Sequence, residues 1–259
     1  MKAVWQAILF AALFCAGSAM AEIADLNSAI NKAGRERMLS QRMAKAYLQI
    51  GQQIDVDRSR RVLDASVLLF ERQLVELKNF APTPEIRETY AQLSKAWQEY
   101  KDVLLGSPPL QANARKVLVL SDQVLVLANQ GTIQLERLSG TKVGHLVNLS
   151  GLMRMLSQRM AKLYLAQTWG VSDATHAAEL EKVRREFGSA LQALLSASVN
   201  TPQIHEALAL VSQQWLFFDN ALSQQGRSDK RPQTAVATTS ERILEEMEST
   251  VSLYEKIGR

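Results

Sequence analysis

The sequence predicts an all-α protein made of two tandem up-and-down four-helix bundle units. Apolar residues recur with helical spacing, and no stretch shows the sustained apolar and polar alternation of a β-strand. Proline, glycine and polar clusters divide the chain into helix-length segments. A near-verbatim internal repeat then relates the first half of these segments to the second half. Long helices joined by short connections are typical of antiparallel bundles.

The repeat is clearest in a nonapeptide that occurs twice. Arg37 to Lys45 reads RMLSQRMAK, and the same letters return 117 residues later from Arg154 to Lys162. Packing in a core would preserve the apolar character of these positions but not the identity of their residues, because cores tolerate hydrophobic substitutions of similar volume. The retained Arg, Ser, Gln and Lys residues therefore indicate a shared polar task. Further matches at this offset are Asn31 with Asn148, Gly34 with Gly151, Tyr47 with Tyr164 and Leu48 with Leu165.

Residues 1–21 are predicted to be a signal peptide. Lys2 precedes the apolar stretch Val4–Ala16, and Ala19-Met20-Ala21 has the small-x-small pattern of a cleavage site. Cleavage near Ala21 would remove Cys15, the only cysteine, so the mature chain would have no thiol or disulfide chemistry. A periplasmic or secreted protein is expected.

The helices are predicted from these breaks in order. Thr83 and Thr201 are expected N-caps, because each precedes a proline that suits the first helical turn. A polar linker, 226–233, precedes the last helix. The predicted sensor-like domains are 22–138 and 139–259. The predicted helices are 24–50, 57–80, 84–105, 111–138, 141–168, 173–198, 202–223 and 238–257.

The junction between the halves decides how the two motifs are placed. Ser139-Gly140-Thr141 predicts a tight turn, which would lay the fifth helix antiparallel to the fourth and parallel to the first. Both motifs would then meet within one chain as an internal pseudo-dimer, and the protein could act as a monomer. The alternative is a continuous helix over 111–168 that stacks the bundles end to end. In that case a homodimer would pair Arg37 with Arg37.

A helical wheel gives the first motif helix two apolar faces. Leu39, Met43 and Ile50 form the face that enters the bundle, whereas Gly34 and Arg37 lie on the opposite face among further apolar residues. A partly apolar face of this kind is unusual for a solvent-exposed surface. It predicts a second packing surface, with another helix close to the glycine. The motif methionines are interpreted as core filling rather than as a copper site.

The charges around the motifs predict that the motif arginines find their hydrogen-bond acceptors outside their own helices. The segment from Lys142 to Ser172 contains no Asp or Glu, so Arg154 lacks the i±4 acid of a typical surface arginine. The acceptor must be a carboxylate of another helix, a backbone carbonyl or a bound anion. The guanidinium fork suits planar oxyanions, but structural pairing with acids of neighbouring helices remains an open alternative. Lys45 and Lys162 are expected at the surface, with their stems along apolar side chains.

The segment Asn31–Arg42 carries a family resemblance. It resembles the periplasmic domain of nitrate/nitrite sensor histidine kinases and the N-terminal domain of type IV pilus methyl-accepting chemotaxis transducers, whose pattern is roughly Asn-x-Ala-Gly-x-x-Arg-Met-x-Ser-x-Arg. The second copy departs only in having Ser150 in place of Ala33. The resemblance implies a four-helix bundle that binds a small oxyanion between two motif arginines.

Site residues are assigned through this resemblance. Arg37 and Arg154 would contact the anion, and Gly34 and Gly151 would allow the close approach of the two helices. Gln41 and Gln158 are further predicted ligand-binding residues. The candidate second shell comprises Asn31, Asn148, Ser40, Ser157, Arg42 and Arg159, of which the two arginines border the site or face solvent.

Other chemistry is not indicated. A net charge of +4 gives no reason to expect nucleic acid as a partner. The three histidines are scattered, and no metal, cofactor or catalytic constellation is predicted, so an enzyme is not expected. Two functions remain: a sensor-like protein that binds a small anion, nitrate being one candidate, or an adaptor that docks the periplasmic domain of a membrane transducer through the same helix face.

Overall fold

The computed structural model of the protein describes residues 23–224 and 230–257, and within these ranges the all-α prediction is confirmed. The predicted signal peptide and Cys15 lie outside the described residues. The eight helices found in these ranges are α1 Leu26–Gly51, α2 Val56–Phe80, α3 Pro84–Gly106, α4 Gln111–Ser139, α5 Lys142–Trp169, α6 His176–Leu195, α7 Pro202–Ser223 and α8 Arg231–Ile257.

Two predicted N-caps are confirmed. The Thr83 side chain accepts a hydrogen bond from the backbone N–H of Ile86 at 3.2 Å. The Thr201 side chain accepts one from Ile204 at 3.3 Å. Each threonine is followed by a proline, whose fixed φ suits the first helical turn and whose missing N–H is not needed there.

Two predicted helix starts are wrong. α6 begins at His176 rather than at residue 173, because the Asp173 carboxylate accepts the backbone N–H of Thr175 at 2.8 Å and holds a turn instead. α8 begins at Arg231 rather than at residue 238, so the last part of the predicted linker is helical. The first turn of α8 tolerates Pro232, since a proline there removes no helical hydrogen bond.

Each half of the chain packs as a four-helix unit in which consecutive helices are neighbours. The cores are related by the repeat. In the first unit the ring of Phe70 stacks on Trp97 with centroids 4.3 Å apart, and in the second Phe187 stacks on Trp215 at 4.5 Å. The duplication therefore extends from sequence identity to the packing of individual aromatic side chains.

The two units lie side by side, as the tight turn predicted. Gly140 has a φ of 58° and ends α4, and the Thr141 side chain caps α5 immediately afterwards. The side chain of Gln111 donates to the carbonyl of Trp169 at 2.6 Å, so the start of α4 lies beside the end of α5. A continuous helix over 111–168 is therefore excluded.

α1 and α5 run parallel through the centre of the molecule. Near their C-terminal ends, the Gln52 side chain donates to the carbonyl of Leu165 at 3.1 Å. α1 also packs against α2, α4 and α8, so both of its faces are covered. This confirms the predicted second packing surface, and it explains why the motif helix has apolar residues on two sides.

Candidate functional site

The two motif helices cross at a pair of glycines. A Cβ built on Gly34 would lie 3.7 Å from the Cα of Gly151, and one built on Gly151 would lie 3.8 Å from the Cα of Gly34. The same two positions would lie 3.2–3.5 Å from the Nη2 atoms of both Arg37 and Arg154. The crossing therefore brings both guanidinium groups to one place, and a Cβ at either glycine would contact one of them tightly.

Each arginine reaches across to the other repeat in the same way. Arg37 Nη2 donates to Oδ1 of Asn148 at 2.6 Å and to its backbone carbonyl at 3.2 Å. Arg154 Nη2 donates to Oδ1 of Asn31 at 2.9 Å and to its carbonyl at 3.1 Å. The motif asparagines are thus direct partners of the motif arginines, which explains why both residue types are retained in both copies.

The third contact breaks this symmetry. Arg154 Nη1 donates to the Glu248 carboxylate at 2.7 Å, whereas Arg37 Nη1 donates to the neutral side chain of Asn129 at 3.0 Å. Asn129 and Glu248 occupy matching places in α4 and α8. The structural alternative left open by the sequence, pairing with an acid of another helix, therefore holds for Arg154. The acceptors of Arg37 are amide and carbonyl oxygens.

A second layer of acids surrounds the asparagines. The Asn31 side chain donates to Glu255 at 2.8 Å, and the Asn148 side chain donates to Glu136. These acids stand at matching places in α8 and α4 and fix the amide groups, so that each Oδ1 points to an arginine. Neither acid was predicted to have a role, although the signal lies in the sequence: Glu136 and Glu255 have the same spacing from the repeated core residues of their helices.

Both arginines are buried, and burial disfavours their charged forms. Their exposed fractions are 1% for Arg37 and 0% for Arg154. Burial, and next the charge of Arg154, lower the pKa of Arg37 to about 9. Burial also lowers the pKa of Arg154 to about 10, although Glu248 opposes this shift. The Nε atoms of both side chains lack a hydrogen-bond partner among the described residues.

The predicted glutamines lie away from the paired arginines. Gln41 donates to the carbonyl of Ser121 in α4 at 3.0 Å, and Gln158 donates to that of Ser240 in α8 at 2.9 Å. They therefore tie each motif helix to the last helix of its own unit. The hydroxyls of Ser40 and Ser157 each donate 2.8 Å back to the carbonyl of the motif arginine three residues earlier.

The remaining motif cations join the two units. In the first repeat, Arg42 and Lys45 both bond to Glu241 of α8, and Lys45 also donates to Ser240 at 2.9 Å. Although burial alone would raise it, Lys45 and Arg42 lower the pKa of Glu241 to about 2. This carboxylate is therefore ionised, and it compensates two cations of the opposite unit.

The second repeat reproduces this arrangement. Arg159 and Lys162 donate to the Asp122 carboxylate of α4 at 2.9 Å and 2.7 Å. The surface position expected for Lys45 and Lys162 is wrong, because their exposed fractions are 1% and 0%. The signal that reveals their partners is a Ser-acid pair, Ser121-Asp122 and Ser240-Glu241, repeated in α4 and α8.

Glu36 is a buried acid for which the sequence predicted no role. Its exposed fraction is 0%, and neither carboxyl oxygen has a hydrogen-bond partner within the described ranges. Burial raises its pKa well above the ordinary value, since the opposing effect of Arg35 is smaller. The second repeat has Met153 at this place.

Comparison with known proteins gives one family. The family described as "Type IV pili methyl-accepting chemotaxis transducer N-term" (PilJ) matches the chain twice, over residues 19–123 and 139–252. No curated protein and no solved structure matches the chain. Among the described residues, none of the helices is long and apolar enough to cross a membrane.

Proposed function

The chain belongs to this family of transducer N-terminal domains, and we propose that it is a periplasmic or secreted ligand-binding member that takes a small oxyanion, of the nitrate or nitrite kind, between Arg37 and Arg154. The family is one of periplasmic sensory domains rather than of enzymes, and it occurs here as a tandem pair. The proposal concerns the ligand and the place where it binds.

The observation that carries the proposal is the meeting of two buried guanidinium groups at the glycine crossing. Both Nη2 atoms border the same pair of glycines, and both groups are removed from water. A buried cation is costly unless charge and hydrogen bonds compensate it. Within the described ranges, Arg37 donates its side-chain hydrogen bonds to neutral groups of Asn129 and Asn148. An oxyanion would give each arginine charge-assisted bonds, which are stronger than neutral ones.

Binding at this place would exchange one set of contacts for another. The side-chain oxygens of Asn31 and Asn148 accept from the arginine Nη2 atoms and are the acceptors that an oxyanion would replace. Because both arginines are buried, an anion would enter only if α1 and α5 separate slightly at this end. Occupancy would then favour one spacing of the two helices over another, which is how a ligand shifts a conformational equilibrium.

Thermal unfolding of the processed protein with and without nitrate tests the proposal. A ligand at a hundredfold excess over its Kd stabilises the folded state by about 2.7 kcal/mol. Arg37→Ala should abolish this gain while leaving the unliganded protein about as stable, since no hydrogen-bonded carboxylate is stranded. Arg154→Ala should also abolish the gain, and Glu248 then keeps Arg35 as its partner at 2.6 Å.

The control is Arg72→Ala, because the Arg72 side chain is 61% exposed on α2. This variant should retain the full stabilisation of the folded state by nitrate. A large loss of unliganded stability in Arg37→Ala, with no effect of nitrate on the parent protein, would mean that the paired arginines serve only to join the two units.

The expected adaptor function needs a correction. Docking a transducer through the motif face is not compatible with this fold, because that face of α1 is covered by α5 and the corresponding face of α5 by α1. The glycines at its centre lie against each other rather than against solvent. A transducer partner would therefore have to contact a different surface of the protein.

A further inference from the structure

The pseudo-symmetry of the molecule relates two clefts between the units. One lies where α8 meets the α1–α2 connection and is lined by Ile54, Arg58, Thr234 and Glu241, among others. The other lies where α4 meets the α5–α6 connection. Its lining includes the matching residues Val171, Thr175, Arg115 and Asp122. The positions correspond through the same offsets that relate the repeats, so each cleft serves as an internal reference for the other.

The two clefts differ greatly in size. The α8 cleft has a volume of only about 20 Å³, whereas the α4 cleft has about 460 Å³. The larger volume falls within the range of small-molecule sites, which is roughly 300–1,000 Å³. One contribution is clear from the sequence, because Arg58 in the small cleft is replaced by the shorter Thr175 in the large one.

The α4 cleft carries a cation, Arg115, that forms no ion pair with an acid in the part of the chain that the structure describes. Arg115 lies in the first turns of α4, where the other repeat has Thr234. Its one hydrogen bond to the described part of the chain is a long one, from Nη2 to the carbonyl of Gly170 at 3.4 Å. Across the cleft, the N-cap residue Thr175 makes no side-chain bond to cap α6. Its backbone N–H and its hydroxyl instead donate to the Asp173 carboxylate, at 2.8 Å and 2.6 Å, so an acid stands at the start of α6.

The rest of the same cleft is lined by acids, by apolar side chains and by Arg159, Ser172 and His176. Glu179 contacts Arg159 at 3.3 Å and Lys182 at 3.9 Å, both long for ion pairs, and its side chain is 31% exposed. Asp173, on the α5–α6 connection, has a side chain that is 65% exposed. The apolar part of the lining consists of Leu118, Val119, Leu163 and Val171.

From this distribution we propose that the α4 cleft binds a small zwitterion with an apolar body, of the α-amino acid class. The carboxylate would bind Arg115 on the α4 wall, and the ammonium would face the acids of the α6 wall. The side chain would cover the apolar lining. Simple dianions fit less well, because Asp122, Asp173 and Glu179 line the same cleft and repel a second negative charge.

Calorimetric titration of the processed protein with L-leucine tests this site. Two analogues separate the charges: 4-methylpentanoate lacks the ammonium group, and 3-methylbutylamine lacks the carboxylate. L-leucine should bind at least tenfold more tightly than either analogue. Arg115→Ala should weaken L-leucine binding by about tenfold or more, which corresponds to the loss of one hydrogen bond to a charged group.

The matched control is Arg58→Ala, which removes an arginine from the small cleft and should leave L-leucine binding unchanged. Val119→Trp, at a position that is 58% exposed, should block the cleft without disturbing the core. Arg37→Ala should not affect this binding, so failure here is distinct from failure of the oxyanion site. No binding of millimolar L-leucine, or equal losses in Arg115→Ala and Arg58→Ala, would overturn the proposal.

Discussion

Glu36 is a buried acid in the first repeat at the place where the second repeat has Met153. On the neighbouring helix α2, Glu76 forms an ion pair with Lys32 at 2.6 Å, and its negative charge adds to the rise in the pKa of Glu36. The hydroxyl of Tyr90 in α3 is also buried without a hydrogen-bond partner in the described structure. The first unit therefore keeps polar groups in its interior that the second unit lacks.

Glu36→Met should stabilise the protein, and more at pH 7 than at pH 4. The pKa of Glu36 is raised in the folded state above its ordinary value of 4.5, so folding favours the protonated acid. Its contribution to stability is present below the unfolded pKa and is lost as the pH rises towards the folded pKa. The gain in the free energy of unfolding should therefore be larger at pH 7 than at pH 4.

Urea unfolding of the parent and the variant at both pH values measures this difference. Glu99→Met, at an exposed position of α3, is the control and should show no such pH dependence. If Glu36→Met changes the free energy of unfolding equally at pH 4 and pH 7, folding does not raise the pKa of Glu36.

Among the helices, the parallel pair α1 and α5 determines the architecture, and the glycine crossing sets their distance. The two central arginines, their asparagine partners and the four further motif cations all act across the boundary between the units. The shared polar task indicated by the repeat is therefore, to a large extent, the joining of the two units. The polar residues of each copy contact the other unit.

Gly34→Val should destabilise the protein by about 1–3 kcal/mol, the usual cost of overpacking. The added Cβ would lie 3.2 Å from Arg37 Nη2 and 3.7 Å from the Cα of Gly151, so the methyl groups of valine would have to displace the guanidinium group or the α5 backbone. Gly188→Val is the matched control, because a Cβ there meets no atom within 4 Å. It should change the free energy of unfolding by less than about 0.5 kcal/mol.

Chemical unfolding of both variants measures this prediction. Equal and small changes in the two variants would show that α1 and α5 do not depend on close contact at Gly34. A further loss of nitrate-dependent stabilisation in Gly34→Val alone would agree with a site at the same crossing.

Most of the architecture of the whole molecule could be predicted from the sequence, since long periodic helices, Thr-Pro starts and a tight turn at Gly140 are local signals. The arginine pairing followed from that turn. The burial of Lys45 and Lys162 could not be predicted from their own helices, because their partners Asp122 and Glu241 lie on helices of the opposite unit. The asymmetry at Arg37 likewise depends on a partner 92 residues away, Asn129.

The organisation of the chain gives a definite expectation for assembly. Two motif helices that would otherwise pair between protomers already pair within one polypeptide, so a single chain contains both arginines of the candidate site. The homodimer considered from the sequence, with Arg37 facing Arg37, is not needed to complete it. Arg37 already donates a hydrogen bond to Asn148 of the same chain.

The most direct test of the central claim, that Arg37 and Arg154 form one shared anion site, is the stoichiometry of nitrate binding to the processed protein. Isothermal titration calorimetry, with sedimentation of the same sample, should give one nitrate per monomeric chain, and no binding in either Arg37→Ala or Arg154→Ala. Two nitrates per chain, one per two chains, or binding that survives in either variant would contradict the account.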